Sequence, residues 1–169
     1  MKWYTGVGSR STPPEVLAKI RSLAMHLRHL GFSSRSGGAA GADTAFGAVD
    51  ELWLPWRGFR GHRNGHLPTP GHFEVASLLH PRWRSLEPPV RALHARNVGQ
   101  VLGMTGVPSS FVVCWTPDGA QEARETSSKA GGTGTAIKLA SICGIPVFNL
   151  QREGALQNLL GYVNANEQA

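Results

Sequence analysis

Cysteine is scarce in this chain. Cys114 and Cys143 are the two present, each in an apolar setting. That argues against a disulfide or a metal pair and reads as two reduced core residues, which fits the cytoplasm. Long apolar runs are lacking too, so no membrane partner is expected. The N-terminus has no basic stretch followed by an apolar core, so no secretion signal is expected. Acidic residues are few: 11 Asp and Glu stand against 17 Lys and Arg, a net charge of +6. The shortage is local. Between residues 53 and 96, Arg57, Arg60, Arg63, Arg82, Arg84, Arg91 and Arg96 are set against Glu74 and Glu87. Such an excess points to an anionic partner, nucleotide phosphate or nucleic acid or both, or to a solvated basic surface. No helix fixes the spacing of His62, His66 and His72 and no carboxylate cluster joins them, so no metal and no cofactor is assigned.

What is present is the patterning of one globular domain. The 169 residues, 41% of them apolar, suffice for one core. The domain is expected over residues 1–163, with a frayed tail over 164–169. Residues 2–7 read as a strand. Thr12 as N-cap, Pro13 and Glu15 open a helix whose stripe is Val16, Leu17, Ile20, Leu23, Ala24, Leu27 and Leu30, stopped by Gly31. A strand over 31–34, a helix over 44–52 and a strand over 52–56 follow. Residues 57–71 form a long loop rich in glycine, arginine and histidine, functional or disordered. A short helix over 73–79 and a longer one from Pro88 to Gly103 come next. The longer one carries Val90, Leu93, His94, Val98, Val101 and Leu102, with Arg96 and Asn97 at its edge. Residues 110–115 are a continuous apolar run, a strand buried on both faces. Residues 121–129 read as a polar, flexible excursion. A helix over 136–143, a strand over 146–150 and a closing helix over 153–163 complete the chain. Alternating strands and helices predict an α/β fold: a Rossmann-like three-layer sandwich around a mostly parallel sheet.

Two glycine-rich turns stand where strands give way to helices. The first is Arg35-Ser36-Gly37-Gly38-Ala39-Ala40-Gly41-Ala42-Asp43. The second is Gly131-Gly132-Thr133-Gly134-Thr135. Turn amides and the free N–H groups of a helix start together make a socket for an anion. One such turn is a weak signal, and two are stronger. A third segment, Gly6-Val7-Gly8-Ser9-Arg10, is a partial dinucleotide fingerprint in which Gly8, Ser9 and Arg10 offer amides, a hydroxyl and a guanidinium. Thr116 sits at the carboxyl end of the buried strand, where open parallel sheets place ligands.

These segments resemble, in this order, the SLOG superfamily, which joins the DNA-processing protein A family to the "lonely guy" phosphoribohydrolases. The first glycine turn resembles the former family's Ser-Gly-Gly-Ala-x-Gly-Ile-Asp. Leu93-His94-Ala95-Arg96-Asn97 is similar to the phosphoribohydrolases' Met-His-x-Arg-Lys. Gly131–Thr135 is similar to their Pro-Gly-Gly-x-Gly-Thr, with Ala130 replacing proline. The resemblance covers residues 2–150. It implies a domain that binds a nucleotide or an ADP-ribose-like molecule, with Arg96 on the ligand and Gly131–Thr135 around phosphate. It also implies a homodimer or higher homo-oligomer. Lys138 stands where the phosphoribohydrolases carry a catalytic glutamate. An ammonium there opposes an oxocarbenium ion, so binding without turnover is the first expectation and no catalytic residue is assigned. Single-stranded DNA is the alternative partner, with Trp53, Trp56 or Trp83 stacking on bases. Hydrolysis of a nucleoside monophosphate is the third. The expected ligand contacts are Gly8, Ser9, Arg10, Arg35, Ser36, Gly37, Gly38, Asp43, Arg96, Asn97, Thr116 and Gly131 to Thr135.

Overall fold

The computed structural model describes residues 2–167. Its centre is β1 (Lys2–Gly8), a strand that sends Tyr4 to one face and Val7 to the other. Around it lie β2 (Phe32–Ser36), β3 (Glu51–Leu52), β4 (Phe111–Trp115) and β5 (Val147–Asn149). All pair parallel, in the order β3-β2-β1-β4-β5. The fold is a Rossmann-like α/β sandwich with an all-parallel five-stranded sheet.

Six helices cover the two faces: α1 (Pro14–His29), α2 (Ala42–Ala45), α3 (Pro70–Leu79), α4 (Pro88–Leu102), α5 (Thr133–Ile142) and α6 (Ala155–Glu167). On one face the α1 stripe Val16, Ile20, Leu23 and Leu27 joins Leu159 and Val163 of α6 over Tyr4, Phe111 and Val113. Tyr4 and Phe111 stack there, with ring centroids 5.6 Å apart. On the other face Ala76 of α3, Val98 and Val101 of α4, and Ile137 of α5 cover Val7, Val112 and Cys114. Each fully buried aliphatic side chain contributes about 1.5–3 kcal/mol. The smaller Ala95, Ala136 and Ala140 let α4 and α5 lie close to the sheet.

Several expected boundaries shift, each for a local reason. The first helix starts at Pro14, with Pro13 in the cap position. Thr12 is not the cap, because its hydroxyl donates instead to the Ser9 carbonyl at 2.6 Å. The second strand reaches Ser36, since Arg35 and Ser36 pair with Glu51 and Leu52. The helix expected over 44–52 lasts one turn. Asp50 is drawn back to β2, where its carboxylate accepts from the Ser34 amide at 2.8 Å, and this turns the chain. Beyond Leu52 the expected strand survives as a single bridge between Trp53 and His66. The polar excursion over 121–129 is two short 3₁₀ turns tied down by side chains. Asp118 accepts from the Ser127 amide and hydroxyl at 2.9 and 2.8 Å. Glu125 accepts from Arg152 at 2.7 Å. α6 takes in residues expected to fray, while 168 and 169 lie outside the described residues. Cys143 is exposed rather than in the core. Among the described residues no helix is long and apolar enough to cross a membrane.

Candidate functional site

In this strand order the chain leaves β1 and β4 toward opposite faces, which opens a crevice at the carboxyl ends of the strands. A cleft of about 470 Å³ occupies that position. Its floor and near wall are Gly8 to Ser11, where β1 ends. Ala39 and Ala40 of the first glycine turn form a second wall. Gly131 to Thr133, at the start of α5, form a third. Leu93 and Arg96 of α4 and Phe59, Arg60 and Lys129 complete the lining.

Glycine allows the first turn to approach β1. Gly41 has φ of +86°, and a Cβ on it would lie 2.6 Å from the Ser9 carbonyl oxygen. Asp43 fixes the approach. One carboxylate oxygen accepts from the Gly8 amide at 3.2 Å, and the other from the Ala39 amide at 3.3 Å. Burial pushes the Asp43 pKa up, against the opposing pull of Arg96 and these amides.

Arg96 is buried, whereas the other charged residues of the lining, Arg10, Arg60 and Lys129, are exposed. Arg96 is 6% exposed, and its Nη1 donates to the Gly37 carbonyl at 2.6 Å. The same nitrogen lies 4.0 Å from Asp43. Its guanidinium carbon sits 5.6 Å from the centroid of the Phe59 ring. Among the described residues its Nε has no hydrogen-bond partner. Burial lowers the Arg96 pKa, with Asp43 acting in the other direction.

The second glycine turn is held from behind by α4. Asn97 Nδ2 donates to the Gly132 carbonyl. His94 Nδ1 and the Thr135 hydroxyl lie 2.6 Å apart. Burial, with His80, Lys138 and Arg96 nearby, depresses the His94 pKa to about 4, so the ring is neutral near pH 7. Gly134 and Thr135 amides close short turns onto Gly131 and Gly132. Among the described residues the amides of Gly132 and Thr133 donate to no backbone carbonyl, and both residues line the cleft.

The structure thus brings Gly8, Ser9, Arg10, Arg96, Gly131, Gly132 and Thr133 to one cavity. Gly37, Asp43, Asn97 and Thr135 stand behind its walls and position them. Gly134 faces Ala130 within the helix start. Ser36 and Gly38 line a separate cavity of about 420 Å³, beside Leu52 and His62. Two expected contacts are corrected. Arg35 is fully buried away from the cleft: its Nε donates to Glu51 at 2.9 Å, its Nη1 to the Val107 carbonyl at 2.8 Å, and it stacks on Trp3 at 4.2 Å. The Thr116 hydroxyl is occupied by Asp118 and Asn149, at 2.7 and 2.6 Å.

Phe59 and Lys129 carry no signal of their own in the sequence, while Arg60 stands there only as one of the arginines of residues 53–96 and Leu93 only in the helix stripe and the Leu93–Asn97 motif. The arginine-rich composition of the 57–71 loop was the one available signal for that loop, because folding rather than spacing brings it over the cleft. Two of the three histidines considered for a metal are packing residues: His66 and His72 lie on Trp53 at 5.3 and 5.2 Å. Trp53 is 1% exposed and donates to Glu51, so it cannot stack on a base. Compared with known proteins, the chain matches no family model, and no curated protein or solved structure matches it significantly.

Proposed function

We propose that the cleft binds the phosphate end of a nucleotide or nucleotide-derived molecule and holds it without turning it over. The observation that carries this reading is the buried Arg96 guanidinium with an unpartnered Nε, beside the open amides of Gly132 and Thr133. A buried donor without a partner is costly, and an anion in the cleft relieves it. The start of the ten-residue helix α5 adds a favourable dipole at the same point.

Binding is favoured over hydrolysis because, among the described residues, no carboxylate lines the cleft. Lys138, at the position of the phosphoribohydrolases' glutamate, donates to the Leu79 carbonyl at 3.3 Å and lies outside the cleft lining. The proposal includes membership of the SLOG superfamily, since the three resembling segments all supply walls or supports of this one cavity. A homodimer goes with that placement and is measured by light scattering.

Isothermal titration against nucleoside mono- and diphosphates and ADP-ribose tests the reading. Micromolar binding is expected, weakened at least tenfold by Arg96→Lys, which keeps the charge and loses the planar donor fork. Silence across the whole panel refutes it.

A further inference from the structure

We infer that the ligand of this cleft carries two or more phosphates in series, a nucleoside diphosphate or a pyrophosphate-linked nucleotide rather than a monophosphate. The inference rests on reading the cleft as a nucleotide site and adds the number of charges.

Among the described residues four cations line the cleft: the buried Arg96 and the exposed Arg10, Arg60 and Lys129. Among the described residues no acidic residue shares that lining. Arg96 is already partly balanced by Asp43, 4.0 Å behind it. The other three have no such balance: among the described residues no carboxylate forms a salt bridge with Arg10, Arg60 or Lys129. A single phosphate on Arg96 and the α5 amides leaves those three exposed cations of the same cleft without a counter-charge from ligand or protein. A second phosphate supplies it.

Arg60 strengthens the case independently of charge. It is the one non-glycine residue with positive φ among the described residues, at φ +49° and ψ +33°. Glycines with positive φ stand on both sides, Gly58 and Gly61. A left-handed arginine costs about 1–2 kcal/mol relative to glycine at the same place. The neighbouring Phe59 packs edge-on against Trp56 at 5.3 Å, which holds the turn in position over the cleft. Strain of this kind persists where surrounding contacts impose it, and it clusters at ligand clamps.

The division of labour is then concrete. The phosphate nearest α5 takes the Gly132 and Thr133 amides and Arg96. The next phosphate takes Arg10, Arg60 and Lys129. Phe59 and Leu93 leave an apolar surface for the nucleoside.

Calorimetric titration of the full chain with inorganic phosphate, pyrophosphate, and the four common nucleoside mono- and diphosphates tests this. Pyrophosphate is expected to bind at least tenfold more tightly than phosphate, and the preferred diphosphate at least tenfold more tightly than its monophosphate. Arg60→Gly removes the strained side chain without disturbing the turn, and Lys129→Ala alters an exposed residue. Each should shrink the diphosphate-to-monophosphate ratio at least threefold while thermal unfolding shows the fold intact. Equal or tighter binding of the monophosphate overturns the inference and leaves the nucleotide reading standing. An unchanged ratio in both variants also overturns it. Silence of every small anion overturns both readings. If an oligonucleotide of deoxythymidine binds while all small anions are silent, the cations serve a nucleic-acid backbone instead.

Discussion

Two arginines in this chain show how the same side chain takes opposite roles. Arg35 and Arg96 are both buried. Arg35 has its needs met by protein: Glu51, two further acceptors and the Trp3 ring. Arg96 meets a carbonyl and a distant carboxylate, and among the described residues its buried Nε has no hydrogen-bond partner. The first is therefore a structural ion pair, and the second lines the cleft with a buried polar atom left unpartnered. Removing one member of a buried pair leaves an uncompensated charge, which costs about 3–5 kcal/mol. Glu51→Ala is expected to lower the chemical-denaturation free energy by about that amount. Nucleotide affinity measured well below the unfolding transition should stay near wild type, because the pair does not touch the cleft.

At the scale of elements, the site depends on how α4 and the first glycine turn are anchored. The neutral His94 ring ties α4 to α5 through Thr135. Its folded-state pKa, about 4, lies below its ordinary value of 6.5, so folding favours the unprotonated ring. Its contribution is fully present above pH 6.5 and is lost as pH falls through that value toward 4. A loss of 1–2 kcal/mol corresponds to a melting temperature lower by roughly 2–8 °C in a domain of this size. The difference in melting temperature between pH 7 and pH 5 should be smaller in His94→Asn than in the wild type, by part or all of that amount. Equal differences would show that His94 does not titrate with unfolding. Gly41 is the second anchor. Alanine there adds a left-handed penalty of about 1–2 kcal/mol to an overpacking cost of about 1–3 kcal/mol. Gly41→Ala should lose about 2–5 kcal/mol in denaturant melts, and nucleotide affinity should fall with it, because Ala39 and Ala40 move away from Ser9.

For the molecule as a whole, charge and topology act together. The excess of basic residues reaches the cleft as four lining cations, at the point where β1 and β4 part. Screening shortens the reach of such a field to about 3 Å at 1 M salt. Raising sodium chloride from about 0.05 to 0.5 M should weaken binding of a nucleoside diphosphate roughly fivefold or more, read by calorimetry. Much of this arrangement was legible beforehand. Apolar periodicity identified α1, α4, β1 and β4, because a buried stripe or a doubly buried run leaves a pattern that neighbours in sequence share. The glycine turns were legible as well, since a backbone that must bend tightly selects residues without a Cβ. The sequence by itself therefore determined the α/β class and the presence of two glycine-rich turns between strands and helices. Tertiary structure alone decided which polar groups face the cleft. Arg35, one strand residue before the turn, is turned into the protein by Glu51, which lies 16 positions away. Arg60 and Phe59 reach the cleft from a loop that belongs to neither glycine turn. Side-chain direction depends on pairing partners distant along the chain, and a pattern of nearest neighbours carries no record of them.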